Sequence, residues 1–283
     1  VALAGAARKA LADTDARIGG GTDAYFTELN RARPPVRLLD HVGYTLNPQV
    51  HAFDDASLVE TLETQAVTVG SARQFCGSKP LAIGPVTLKP RFNPAATTSP
   101  EPLAPGELPS QVDVRQMSLL GAGWTLGSLK YLSRYADVQS LTYYETTGWR
   151  GVMARSDGSS APWPALPGMV YPMYHVFADV GEFAGGERVA VATSDTLAVD
   201  GLALQKGRRR CLWLANLTAR AQQIVVCGWA SRARVRTLDA GSAERAMTDP
   251  DWFRSQKEGQ VTGEGGRLSL SLAPFAFVRL DVP

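Results

Sequence analysis

Residues 38–92, LLDHVGYTLNPQVHAFDDASLVETLETQAVTVGSARQFCGSKPLAIGPVTLKPRF, form one complete strand–helix–strand repeat, and this repeat sets the fold class. Its first part, 38–49, carries a short apolar run that stops at Asn47-Pro48. Proline, and the restricted residue before it, end a strand there. Residues 54–77 then have Asp54 or Asp55 as a helix N-cap and Gly77 as a stop. Residues 80–92 return to an apolar strand. A strand, a helix and a second strand in series predict a βαβ unit with parallel strands.

The same alternation extends in both directions. Upstream, residues 1–15 place Leu3, Ala6, Ala7, Ala10 and Leu11 at helical spacing, and ARIGGG (16–21) reads as a short strand running into glycine. The segment from Glu28 to Pro35 fits a short helix or an extended loop equally. Downstream, 113–136 predicts a helix, SLTYYETTG (140–148) a fourth strand and 169–183 another helix. Two stretches rich in Pro, Gly, Ser and Thr, 93–110 and 156–168, read as long loops.

After Glu187 the period changes to two. RVAVATSD (188–195), LAVDGLALQKG (197–207), RRCLWLANLT (209–218), QQIVVCGW (222–229), ARVRTLD (233–239) and RLSLSLAPFAFVRLDV (267–282) are short strands separated by turn signals. They predict an all-β sandwich, with Leu268, Leu270 and Leu272 inward and Ser269 and Ser271 outward. The polar insertion 241–260 reads as a surface excursion. The domain division expected is therefore 1–183, α/β, and 184–283, β-sandwich; 283 residues suit about two domains.

Composition narrows the function. Lys and Arg number 29 and Asp and Glu 27, a net charge of +2, which points to neither a nucleic-acid nor a membrane partner. Lys206, Arg208, Arg209 and Arg210 are the one basic cluster and read as a solvated hairpin end. The three cysteines, Cys76, Cys211 and Cys227, form no CxxC; Cys211 and Cys227 lie in apolar runs and read as small buried hydrophobes. This suits a reducing, cytoplasmic setting. Three histidines without an HExxH motif predict no metal site, and with no GxSxG elbow or phosphate-binding loop no cofactor is expected. The chain has neither an initiating Met nor a signal-peptide pattern, and it reads as a piece of a longer protein.

In parallel α/β folds, ligands bind beyond the carboxyl ends of the strands. The four predicted strand ends carry Thr22, Asp23, Tyr25, Glu28 and Asn30; Asn47, Gln49 and His51; Thr87, Lys89 and Arg91; and Tyr143, Tyr144, Glu145, Trp149 and Arg150. Glu145, at the mouth of a strand and flanked by tyrosines, is the leading acid/base or nucleophile candidate; the competing reading pairs it with Arg91 or Arg150. Glu28 is the second carboxylate, or else a loop partner of Arg31 or Arg33. Asp23 either binds substrate or holds its own loop. Asn47 and Gln49 suit sugar hydroxyls, and His51 a general base or a donor to an oxyanion, unless it is structural. Lys89 and Arg91 suit a carboxylate or an oxyanion, or else cap the long loop that follows, and Tyr25, Tyr143 and Trp149 suit the body of a sugar, with packing the competing reading for Trp149.

At GGGTDAYFTELNR (19–31), LNPQVHAFDD (46–55) and GPVTLKPRFNP (84–94) the sequence resembles the D-apionate lactonases, bacterial sugar-acid enzymes of apiose catabolism. The likeness runs from about Gly19 through LTYYETTGWRGV (141–152) into the C-terminal domain. It implies a (β/α)8 barrel akin to retaining glycoside hydrolases, with an N-terminal β domain and a C-terminal β-sandwich. Closure of such a barrel takes eight units. The four visible ones are then its last four, and the acid/base that related glycosidases carry on their fourth strand lies outside this chain. The half-barrel alone leaves sheet edges open and is expected to be poorly active. The implied reaction is hydrolysis of D-apionolactone to D-apionate. Glu145 or His51 acts as base, Lys89 or Arg91 with Asn47 holds the oxyanion, and Asp23, Glu28 and Gln49 bind hydroxyls. The glycines 19–21 then end a buried strand, and the polar run after them is the rim of the site. Two rivals remain: a retaining glycosidase using Glu145 and Glu28, whose carboxyls would stand ~5–5.5 Å apart, and a non-catalytic carbohydrate-binding protein. The partner in each is a small sugar or sugar lactone.

Overall fold

The computed structural model describes residues 2–97, 103–104, 106–157 and 165–282. The expected loops 93–110 and 156–168 fall partly outside these. The chain forms two compact units, Val1–Ala104 with Pro109–Val112 and Tyr131–Tyr144, and Pro105–Leu108 with Asp113–Lys130 and Glu145–Pro283.

The first unit opens with α1 (Ala2–Ala10), β1 (Gly19–Thr22) and α2 (Phe26–Arg31), so the ambiguous segment begins as a helix. It continues through β2 (His41–Leu46), α3 (Asp55–Cys76) and β3 (Leu81–Val86), and β4 (Val138–Tyr143) completes the sheet; α4 (Leu119–Leu132), between β3 and β4 in the chain, belongs to the second unit up to Lys130. The strands lie in the order β1-β2-β3-β4, each pairing parallel, as the repeat at 38–92 predicts.

Helix α3 starts and stops where the sequence says. The Asp54 carboxylate accepts from the Ser57 backbone N–H at 2.9 Å, and Gly77 leaves the helix at φ 58°. Its buried side chains Leu58, Val59, Leu62, Ala66, Val69, Ala72 and Cys76 recur at three- and four-residue spacing. They cover the sheet face that carries Val42, Tyr44, Leu81 and Ile83, each at most 1% exposed. Tyr44 and Thr68 hydroxyls meet at 2.9 Å across this layer.

The opposite sheet face is built from small residues. Register places Gly21 beside Gly43, Gly43 beside Ala82 and Ala82 beside Ser140. A Cβ on Gly21 would lie 1.8 Å from the Gly43 carbonyl oxygen, so only glycine lets β1 and β2 pair there. The three glycines are thus the strand itself and not its end. The strand is also not buried as expected: Gly19 and Gly21 are exposed on a sheet edge. Helix α1 likewise buries nothing, and Leu3 is 84% exposed.

The second unit begins with the short pair β5 (Glu145–Thr147) and β6 (Gly151–Met153), followed by α5 (Pro172–Gly181). The sandwich follows: β7 (Glu187–Val189), β8 (Val199–Lys206), β9 (Arg209–Asn216), β10 (Gln222–Cys227) and β11 (Arg232–Leu238). Then come α6 (Ala243–Thr248), α7 (Pro250–Ser255), β12 (Gly259–Thr262), β13 (Arg267–Leu272) and β14 (Phe277–Val282). A six-stranded antiparallel sheet, β12-β11-β14-β9-β8-β7, faces a pair, β10-β13. Leu268 and Leu272 are buried and Ser269 and Ser271 exposed, as alternation predicts. The basic hairpin end at 206–209 is exposed.

Two expectations need correction. Cys227 is exposed, because its place in β10 points away from the core; Cys76 and Cys211 are buried. The insertion 241–260 is not merely a surface excursion. It folds into α6 and α7, which bury Ala246 and Phe253. The His175 ring stacks edge-on against Phe253 at 4.6 Å, and its Nε2 donates to the Ala246 carbonyl at 3.0 Å.

A buried ion network ties α5 to the sandwich. Asp179, 1% exposed, accepts from Arg236, Arg254 and Arg279 at 2.6, 2.8 and 2.9 Å. Glu182 meets Arg254, Arg279 and Arg209, and Arg279 also holds Asp281. Lys130 and Asp200 form a second buried pair. Such charges are tolerated inside only because every one is paired.

Candidate active site

Each strand of the parallel sheet leads into the polar residues named from sequence. In the first unit β1 runs directly into Asp23, and Tyr25 precedes α2 as its N-cap residue. The carbonyl of Asp23 accepts weakly from the Thr45 hydroxyl at 3.4 Å. Glu28 and Arg31 pair at 2.6 Å across one turn of α2, the loop partnership that competes with a direct role for Glu28.

After β2, Asn47 and Gln49 flank Pro48 and differ in their surroundings. Gln49 is 1% exposed, and its amide donates to the Leu88 carbonyl at 2.8 Å, tying the loop after β2 to the loop after β3. Asn47 keeps a buried side-chain oxygen with no hydrogen-bond partner among the described residues. A buried acceptor left unmet costs about 1–3 kcal/mol, unless a ligand hydroxyl or water supplies the donor. His51 is exposed.

The turn after β3 is fixed by the Thr87 hydroxyl, which donates to the Lys89 carbonyl at 2.7 Å. Lys89 is half-buried and gives one proton to the Val112 carbonyl at 3.1 Å; its ammonium has three to give. Arg91 stands exposed at the start of the long loop.

Tyr143 closes β4, with its ring 5.9 Å from that of Tyr144. Tyr144 is 4% exposed and holds φ 53°, a left-handed conformation that costs a bulky residue ~1–3 kcal/mol. Its N–H donates to the Val86 carbonyl at 3.1 Å, which helps hold it there. The kink carries the chain out of the sheet at Glu145.

In the second unit, Glu145 is partly exposed and pairs with Arg150 at 2.9 Å, while its N–H donates to the Arg150 carbonyl. Trp149 lies half-buried in the turn between β5 and β6.

A cavity of about 550 Å³ opens over the small-residue face of the first unit. Of the residues named from sequence at the strand ends, Thr22 and Asp23 line it; His41, Thr45, Gly43 and Gly84 line it too. Sequence reasoning missed these four. The signal, Gly21, Gly43 and Gly84 where bulky residues would otherwise fill a barrel interior, can be read only once register sets the strands side by side.

A parallel β/α sheet with polar strand ends and an appended β-sandwich is the architecture of glycoside-hydrolase-like (β/α)8 barrels. Solved structures agree on the fold. A family 30 endoxylanase from Clostridium papyrosolvens matches 94% of this chain and 56% of its own at TM-score 0.56 and 13% identity. A family 51 α-L-arabinofuranosidase from Bifidobacterium longum matches 98% and 61% at TM-score 0.59 and 14% identity. A rhamnosyl-glucuronidase from Fusarium oxysporum matches 99% and 63% at TM-score 0.59 and 14% identity.

Within that class, residues 1–185 match the model of the D-apionate lactonase TIM barrel domain, and residues 196–280 that of the D-apionate lactonase C-terminal immunoglobulin-like domain. The chain belongs to the D-apionate lactonase family. It is 32% identical over 218 residues to the D-apionate lactonase of Brucella anthropi, a stretch that is 76% of this chain and 34% of that relative. The chain thus spans about a third of the curated relative's length. No helix among the described residues is long and apolar enough to cross a membrane.

Proposed function

We propose that the polypeptide containing residues 1–283 hydrolyses D-apionolactone to D-apionate. The observation that carries this reading is the match of both parts of the chain, in order, to the two domains of one lactonase family. The chemistry asks little. A base takes a proton from water, the water oxygen bonds to the lactone carbonyl carbon, and the ring C–O bond breaks with a proton passing to the ring oxygen. Glu145 or His51 serves as the base. Lys89 and Arg91 supply cationic donors for the developing oxyanion.

The unmet oxygen of Asn47 refines its part. It is an acceptor, so it suits a sugar hydroxyl better than an oxyanion. Gln49 positions the two loops it ties together, while Asp23, Glu28, Tyr25, Tyr143 and Trp149 contact the sugar. The division 1–183 and 184–283 separates barrel from sandwich. Three free thiols suit a reducing, cytoplasmic setting. The test is lactone opening by the complete polypeptide, wild type against Glu145→Gln and His51→Gln. Near-full activity in both variants overturns the assignment of the base.

A further inference from the structure

Glu145 stands on a small piece of structure. Strands β5 and β6 have three residues each and pair at two positions, Glu145 beside Gly151 and Thr147 beside Met153. They form a sheet of their own. A two-stranded sheet this short is marginal by itself. It brings little core with it either: from 145 to 154 only Gly151 and Ala154 are buried. Hydrogen bonds from the rest of the second unit hold it. The first comes from Gln116, in the single turn of 3₁₀ helix Val114–Met117. Gln116 is 3% exposed, and its amide donates to the Gly151 carbonyl at 3.0 Å. The others come from the chain just before α5. The Tyr171 N–H donates to the Val152 carbonyl at 2.9 Å, and the Ala154 N–H to the Met169 carbonyl at 2.7 Å. Val170, between them, donates its own N–H to the Met247 carbonyl of α6 at 3.0 Å. Both attachments reach one core, because Met247 packs against the buried cluster of Met117, Ala154, Met169 and Tyr171.

We propose that Gln116 and helix α6 position Glu145: they fix β6, and β6 fixes the carboxylate. The inference rests on Glu145 being the base of the proposed reaction. The link from β6 to Glu145 is short. The Glu145 N–H donates to the Arg150 carbonyl at 2.9 Å, and its carboxylate meets the Arg150 guanidinium at 2.9 Å. Gly151, the next residue, is its register partner and the point where Gln116 attaches. Only glycine fits there, since a Cβ would lie 2.6 Å from the Thr147 backbone. A general base works only within hydrogen-bond reach of the proton it takes, and a displacement of about 1 Å can cost on the order of 100-fold in rate. Gln116 is therefore a positioning residue, acting through Gly151 and not on the substrate. Helix α6 lies in the part that matches the C-terminal domain, whereas Glu145 lies in the part that matches the barrel domain. The insertion 241–260 thereby gains a role in the reaction: it supports a residue of the barrel.

Initial rates of D-apionolactone opening by the complete polypeptide test this, in a double-mutant cycle of Gln116→Met and Glu145→Gln. Gln116→Met keeps the length of the side chain and removes its donor. With Glu145 present it should lower kcat by about 10–100-fold and leave KM within about 3-fold. In the Glu145→Gln background it should lower kcat by less than about 2-fold, because a residue that acts through Glu145 has nothing left to position. Met247→Ala trims a partly buried side chain of α6 and should show the same pattern more weakly; it carries the test if Gln116→Met does not fold. Equal losses in both backgrounds make these residues structural only and overturn the proposal. So does an unchanged kcat with Glu145 present. Full activity in Glu145→Gln alone removes the base assignment, and the proposal with it; loss in Glu145→Gln with no effect of the other variants removes the proposal and leaves the base.

Discussion

Glu145 and Glu28 each sit beside an arginine, at 2.9 and 2.6 Å, so an ion pair alone could explain why either carboxylate is there. Partly exposed pairs of this kind contribute only ~0–1 kcal/mol. The two roles for Glu145 therefore separate cleanly. As the base, Glu145→Gln lowers kcat by about 10²–10⁴-fold while the urea midpoint stays nearly fixed. As a structural pair, it moves neither by much. A second change acts on the fold. Gly21→Ala places a methyl against the Gly43 carbonyl oxygen and should cost several kcal/mol, on the order of a severe backbone clash. Urea unfolding reads that loss directly, and an unchanged midpoint contradicts the register of β1. Which residues stand at the strand ends was legible only in part: Asn47-Pro48 marks the end of β2, whereas glycines 19–21 lie within β1 and Gly84-Pro85 within β3. What each side chain does there was not. Gln49 and Asn47 look alike in sequence, yet one is bound to Leu88 and the other keeps an unmet oxygen.

Helix α3 was legible to the residue because its signals, Asp54 and Gly77, are local. Helices α6 and α7 were not. Each has six residues, and their polar sequences hide Ala246 and Phe253, whose burial depends on His175 of α5. Strand β7 also stops short of the alternation that predicts it, since a strand needs a partner as well as a pattern. His175 gives this packing a pH signature. Burial lowers its pKa from 6.5 to about 4, with Arg254 and Arg236 also disfavouring the cation and Asp179 and the Ala246 carbonyl opposing. The unfolded chain then binds a proton that the native state refuses. Stability is full above about pH 6.5, falls toward pH 4 and is lost no further through this group below that. Glu182 acts lower down. Burial pushes its carboxyl up, but Arg279, Arg209 and Arg254 outweigh this and bring it to about 2. Its contribution is present above the unfolded value of 4.5 and fades as pH falls toward 2. The urea midpoint should thus decline from about pH 6.5 downward, and His175→Gln should flatten the upper part alone. A wild-type midpoint that is level between pH 7 and pH 4.5 contradicts this.

At the scale of the whole molecule, the change of period after Glu187 announced an α/β part and an all-β part, and both are present. Periodicity could not announce the small-residue sheet face, which has meaning only once Gly21, Gly43 and Ala82 are set side by side. The most direct test of the account is release of acid from D-apionolactone by the complete polypeptide, run beside a panel of p-nitrophenyl glycosides. The account predicts lactone opening far above the spontaneous rate, no glycoside cleavage, and loss of the lactone activity in Glu145→Gln or in His51→Gln. Glycoside cleavage without lactone opening would contradict it and turn Glu28 and Glu145 into a glycosidase pair.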